Sequence, residues 1–230
     1  MNRSYLAQSL THTVTTQELS KKIAIHEAGH AAAIYLGNMQ KQLPPVFFQI
    51  QIDQPPNHKR LSTTEQNWLA RIEGGRLIHT LPSCIDEATR EFSEPEKQAY
   101  LHAFEADIMN FLVGPLAEAN YIALRDDEII NSSLITLSAL RNYGGSDDLK
   151  NAYEYAECLF DNRFAQERKL HELFLQAFEF INSGAVWRAI MALANHLLRC
   201  QQAVIDCEEI TRVLDTHFYH RKPHTGLVLQ

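Results

Sequence analysis

Apolar positions recur at helical spacing along most of the chain and alternate in only two places. Between residues 15 and 36, Leu19, Ile23, Ala24, Ala31, Ile34 and Tyr35 give a helix one buried side. Thr15 with Glu18 three residues later forms a capping box at its start, and Gly37 is the expected terminator. After Pro44-Pro45 the run Phe48, Gln49, Ile50, Gln51, Ile52 alternates as a half-buried strand does. Residues 53–67 are polar and contain prolines, which predicts a loop. Gly74-Gly75 then introduces a second strand expectation, Arg76 to Leu81, and the two strands would make a small sheet.

From Ser93 the helical period returns, with Ser93 and Glu96 as a second capping box and Pro95 in the first turn. This helix is expected to reach about Ala123, with a kink or break near Gly114 imposed by Pro115. Further helices are expected at 128–142, from a Ser146 cap to about Phe160, at 163–182, at 185–202 and from Asp206 to about Thr216. Trp187, Phe178 and Phe180 fall at core spacing. There is no internal repeat. The expectation is a single domain over 1–230, with a part at 15–160 that carries the chemistry, C-terminal helices at 161–217 and a flexible tail at 218–230.

Composition changes this picture little. Apolar residues make up 45% and charged residues 21%, the balance of a globular chain. A net charge of −7 argues against nucleic acid or an anionic membrane as a partner. No stretch of about 18 apolar residues exists to span a membrane, and the N-terminus lacks a signal-peptide pattern. Cys84, Cys158, Cys200 and Cys207 form no C-x-x-C pair and read as thiols of a reducing compartment, so a cytoplasmic location is expected.

The chemical signal is His26-Glu27-Ala28-Gly29-His30. Residues four apart on a helix project from one face, so two imidazoles can share one Zn²⁺ with Glu27 beside it as general base. A catalytic zinc needs a third protein ligand. The metzincin extension is excluded, because Ala33 and Leu36 stand where it needs glycine and histidine. Among later carboxylates, Glu105, Asp107, Glu118, Asp147, Asp148 and Glu154 are all available. Asp147 and Asp148 can equally serve as charges complementing a helix start. His102, His171 and His196 sit on helical patterns as core or boundary residues, and His79 is ambiguous.

The stretch Lys22 to Ala31 resembles the zinc-site helix of the FtsH family of ATP-dependent zinc proteases. Gly114-Pro115-Leu116-Ala117-Glu118-Ala119 resembles its G-R-x-A-E-E segment, and Gly144 to Ala152 its G-A-S-N-D-[IL]-x-x-A segment. Trp187 to Leu214 is similar to its closing helices, so the resemblance spans roughly residues 16–215. It implies Asp148 as third ligand, with Asp147 at the family's asparagine, and Glu118 either orienting a ligand histidine or solvated. Pro115 and Ala119 depart from the pattern, and no phosphate-binding loop of an ATPase is present.

The expected fold class is therefore α+β, mainly α-helical, with a zincin-like HExxH helix, a small β-sheet and a C-terminal helical bundle. The expected activity is a zinc-dependent metalloendopeptidase acting on peptides or unstructured segments without ATP. A homo-oligomer or a separate ATPase partner stays open. The competing readings are a regulatory or binding protein that retains the site without turnover, and a metal-dependent hydrolase of a non-peptide substrate. Intact Glu27 argues against the first, since a purely structural site needs no base.

Overall fold

The computed structural model describes residues 3–53, 69–76 and 81–219, with side chains for 17–53, 70–76 and 81–219. It is α+β and mainly helical. Helix α1 (Arg3–Ala32) passes through a π-helical turn (Ala33–Gly37) into the short α2 (Asn38–Gln40). Strands β1 (Phe48–Asp53) and β2 (Leu69–Gly74) follow, then α3 (Ile85–Ala88) and the long α4 (Glu94–Arg125). A 3₁₀ helix (Leu137–Tyr143) leads into α5 (Ser146–Leu159), α6 (Arg163–Asn182) and α7 (Gly184–Arg199). Strand β3 (Val204–Ile205) and α8 (Cys207–Phe218) complete the described chain.

Helix α1 runs through the middle and packs against α4, α7 and β2, while α4 also holds α5 and α6. Beside the buried Ile25, its buried side carries the small residues Ala24, Ala28, Ala31 and Ala32. Small side chains let helix axes approach closely, and here the approach is extreme. A Cβ on Gly29 would lie 2.9 Å from the Ala117 methyl and 3.1 Å from the Gly114 Cα. Only glycine fits at 29 with α4 in this position, and that contact fixes which residues of α4 face the histidines of α1.

The sheet is antiparallel with order β2-β1-β3. The alternation at Phe48, Ile50 and Ile52 buries those three side chains, as the pattern predicts. Strand β1 is central, however, paired with β2 on one side and β3 on the other. The edges of the sheet therefore belong to β2 and to the two-residue β3. Antiparallel ladders alternate between hydrogen-bonded and non-bonded pairs. The Gly75 N–H donates to Phe47 O at 2.8 Å, so Ile72, opposite Ile50, turns its N–H away from β1.

Several boundaries differ from the pattern. Helix α1 begins at Arg3 and not at Thr15, and Glu18 accepts Arg125 Nη1 at 2.7 Å and the Tyr121 hydroxyl at 3.1 Å. Gly37 has ordinary helical angles. The stop comes at Gln42 (φ 55), where Leu43 N–H bonds Asn38 O and Gln42 N–H bonds Met39 O in a Schellman arrangement. The second strand ends at the glycine pair instead of starting there. Gly74 (φ 100) and Gly75 (φ 94) adopt left-handed angles that stop an extended run. Residues 77–80 of the expected strand, and 54–68 of the expected loop, lie outside the described residues.

The expected helix at 128–142 is replaced by turns and the 3₁₀ segment. Asn131 takes the Ser133 N–H on its side chain and Thr136 takes Ala139 N–H, local bonds that compete with a helix. Helix α4 is continuous through Pro115 and starts at the expected Ser93–Glu96 capping box. Helices α6, α7 and α8 stand within a few residues of their expected positions. Among the described residues no helix is long and apolar enough to cross a membrane.

A candidate metal centre

His26 and His30 lie four residues apart on α1 and are both buried, 8% and 6% exposed. Their rings meet edge to face with centroids 4.8 Å apart. Asp148, in the first turn of α5, brings its carboxylate between the two Nε2 atoms. Oδ2 stands 3.2 Å from His26 Nε2 and Oδ1 3.4 Å from His30 Nε2. One donor atom from each of these three residues falls within a 4.8 Å group, and this group could hold a metal ion. Two imidazole nitrogens and one carboxylate oxygen are the donor set of a divalent transition metal with a further position left open.

Each imidazole is held from behind. His26 Nδ1 lies 3.4 Å from Glu118 Oε2, and His30 Nδ1 lies 2.7 Å from the main-chain carbonyl of Asn110. Both partners belong to α4. A hydrogen bond at Nδ1 fixes the tautomer that presents Nε2 to a metal. Gly114, between those two residues on α4, makes the arrangement possible: a Cβ there would fall 2.3–2.7 Å from ring atoms of His30.

Electrostatics supports a cation at this point. Burial works against a charged His26, but hydrogen bonds to Asp148 and Glu118 outweigh it and push its pKa up to about 10. Asp148 moves the other way. Burial would raise it, yet His30 and His26 hold its carboxyl well below the usual carboxylate range. The protein thus stabilises positive charge between two carboxylates, either as a proton on His26 or as a metal ion in its place.

No family model matches the chain and no curated protein matches it. The site is therefore read from its own geometry. Glu27 points to the sheet, where its Oε2 accepts the outward N–H of Ile72 at 2.7 Å. The edge of β2 thereby holds the carboxylate of Glu27, the residue that follows the ligand candidate His26. Beside these residues opens a cleft of about 590 Å³, lined among others by His30, Asp148, Ile72, Phe111, Arg76 and Asp107.

The remaining carboxylates sort themselves by partner. Glu105 pairs with Lys169 at 3.0 Å and Glu154 with Lys150 at 3.8 Å. Asp147 is exposed beside Asp148 and is not in the metal group. Asp107 is buried against Arg76, and burial, only partly opposed by that guanidinium, pushes its pKa up to about 7. Of the other histidines, His102 and His171 are exposed and not core, while His196 is a boundary residue bonded to Glu209 at 2.7 Å. His79 lies outside the described residues. Trp187, Phe178 and Phe180 pack in or against the core. Pattern reading could not find the Asn110 carbonyl or the Ile72 N–H, because backbone groups carry no side-chain signal.

Proposed function

We propose that this chain is a zinc-dependent metallopeptidase, resembling the FtsH peptidase domain, that cleaves peptides or unstructured protein segments. The observation that carries the reading is the pairing of a three-donor metal group with a carboxylate, Glu27, fixed beside it by the edge of β2. A structural metal site would close with a fourth protein ligand and would need no such base. Three donors with a cleft alongside are the arrangement a hydrolytic site requires.

The donor set of His26, His30 and Asp148 suits Zn²⁺, which when bound supplies Lewis acidity toward a peptide carbonyl and makes a water molecule easier to deprotonate. Glu118 and the Asn110 carbonyl keep both imidazoles turned toward that point. Glu27 takes the proton of the attacking water and returns it to the departing amine. The outer edge of β2, which no strand covers among the described residues, accepts an extended substrate by main-chain pairing.

Glu27→Gln is the decisive variant. It is expected to bind zinc at about one ion per chain, like the parent, while hydrolysis of an unstructured substrate falls by at least about 10²-fold. His26→Ala and His30→Ala should lose the metal. Undiminished turnover in Glu27→Gln, or full zinc retention in both histidine variants, would sink the reading.

A further inference from the structure

The cleft beside the metal group has two sides of different chemistry. Strand β2 packs on α1, α1 on α4 and α4 on α5, so β2 and α5 stand on its two sides with α1 and α4 beneath. One side carries Ile72 and the residues that follow it; the other carries Asp148, Asn151 and Tyr155 of α5. Spacings of three and four put those three residues on one face of the helix. Asp148 belongs to the metal group, and Tyr155 packs its ring against Phe104 and Phe111 with centroids 4.6 and 5.3 Å away. Asn151 lies between them, half-buried on the cleft wall.

Its identity does not serve the helix. Asn151 stands in the interior of α5 (Ser146–Leu159), past the first turn where an asparagine can cap. In a helix interior asparagine is less favourable than alanine, because its side chain competes for backbone hydrogen bonds. Its position suits a different task. Helical side chains lean toward the preceding turn, so the carboxamide of Asn151 leans toward the turn that carries Asp148. A carboxamide offers a donor and an acceptor side by side. In an extended strand the N–H and C=O of one residue point to the same side, and those of the next residue point the opposite way. A peptide paired with β2 therefore turns the N–H and C=O of every second residue away from the strand. Asn151 can meet both groups of one such residue, its amide donating to the C=O and its side-chain oxygen accepting the N–H.

We propose that Asn151 is a substrate-binding residue that holds the main chain of an extended peptide from the side opposite β2, whatever side chains the peptide carries. This rests on the peptidase reading, so the test reads binding separately from turnover. Peptide hydroxamates bind a site metal whether or not the site hydrolyses peptides. The probes for the zinc-loaded full chain are tetraalanine hydroxamate and analogues in which one main-chain N–H at a time is replaced by an ester oxygen. Asn151→Ala is expected to bind the all-amide probe on the order of tenfold more weakly than the parent. It should also be indifferent to the ester at one position that weakens binding to the parent, while esters at the flanking positions act alike on both proteins. Acetohydroxamate, which has no peptide main chain, should bind parent and variant equally. The melting temperature should hold or rise, since alanine suits the helix better. Lys150→Ala, exposed on the same helix, is the matched control and should bind every probe as the parent does. Equal affinity of parent and Asn151→Ala for the all-amide probe, or a loss spread evenly over all the esters, would overturn the assignment. So would a lower melting temperature with weaker acetohydroxamate binding, which would make Asn151 a support of the metal site. Failure of every hydroxamate to bind would remove the metal reading, and this role with it. A position-specific loss in Asn151→Ala without hydrolysis of any peptide would keep the role and overturn the peptidase.

Discussion

Two neighbouring aspartates separate the possible roles at the start of α5. Both stand in its first turn, where the helix dipole favours a carboxylate. Only Asp148 reaches the two Nε2 atoms. Asp148→Asn is expected to weaken zinc binding by more than about 100-fold, since even groups that merely support a ligand contribute 10–100-fold. Asp147→Asn should leave zinc affinity unchanged and cost at most about 1 kcal/mol of stability through the dipole. Similar small losses in both variants, read from zinc titration and melting temperature, would remove Asp148 from the site. In the sequence the choice among six carboxylates stayed open, because helical spacing says which residues share a face of one helix but not which helix faces which. Only the resemblance favoured Asp148.

The same residues give the metal-free protein a distinctive pH response. His26 titrates near 10 in the folded chain against an ordinary value of 6.5. Its raised pKa contributes stability that is fully present below about pH 6.5 and lost as the pH rises to about 10. Asp148 is depressed from its ordinary 3.8, so its contribution is present above that value and lost on acidification. The melting temperature of metal-free protein should therefore fall as the pH goes from 6.5 to 10. Saturating zinc, which binds neutral imidazole, should abolish most of that fall. Parallel curves with and without zinc over this range would show that the proton on His26 contributes nothing.

Among elements, the crossing of α1 and α4 decides whether the site forms. Gly114→Ala places a methyl group inside the His30 ring position, so either the ring rotates away or the helices separate. The expected cost is about 1–3 kcal/mol, with a larger proportional loss of zinc affinity. Gly37→Ala is the matched control. It adds a methyl group with nothing within 4 Å, at helical angles, and should stabilise by about 0.4–1 kcal/mol with zinc binding intact. If circular dichroism melting and zinc titration ranked the two substitutions alike, the close crossing would not be what supports the site. Elements with a strong period, such as α4, α6 and α7, were legible in sequence because packing and propensity agree there. The segment after Arg125 was not. Ile129 and Leu134 mimic a helical stripe yet are 90% and 80% exposed, while Asn131 and Thr136 direct the backbone into local turns. Strand β3, two residues long, was too short for any alternation to register.

At the scale of the whole molecule, the proposed peptidase would take its selectivity from the edge of β2. Glu27 takes its outward N–H at Ile72, so an extended substrate would pair with the outward groups on either side of that residue. A folded protein keeps its strands paired and cannot offer one without first unfolding. The chain has no phosphate-binding loop with which to drive that unfolding. Zinc-loaded protein is therefore expected to degrade a denatured chain without ATP and to leave the same chain intact once it is tightly folded. For a substrate of adjustable stability, the cleavage rate should follow the population of the open form. Each 1.4 kcal/mol of destabilisation then raises the rate about tenfold until cleavage itself limits it. Following a series of destabilised variants of one substrate by gel would measure this slope. Cleavage that ignores substrate stability, or that accelerates when ATP is added to the isolated chain, would mean that the edge of β2 does not select extended segments.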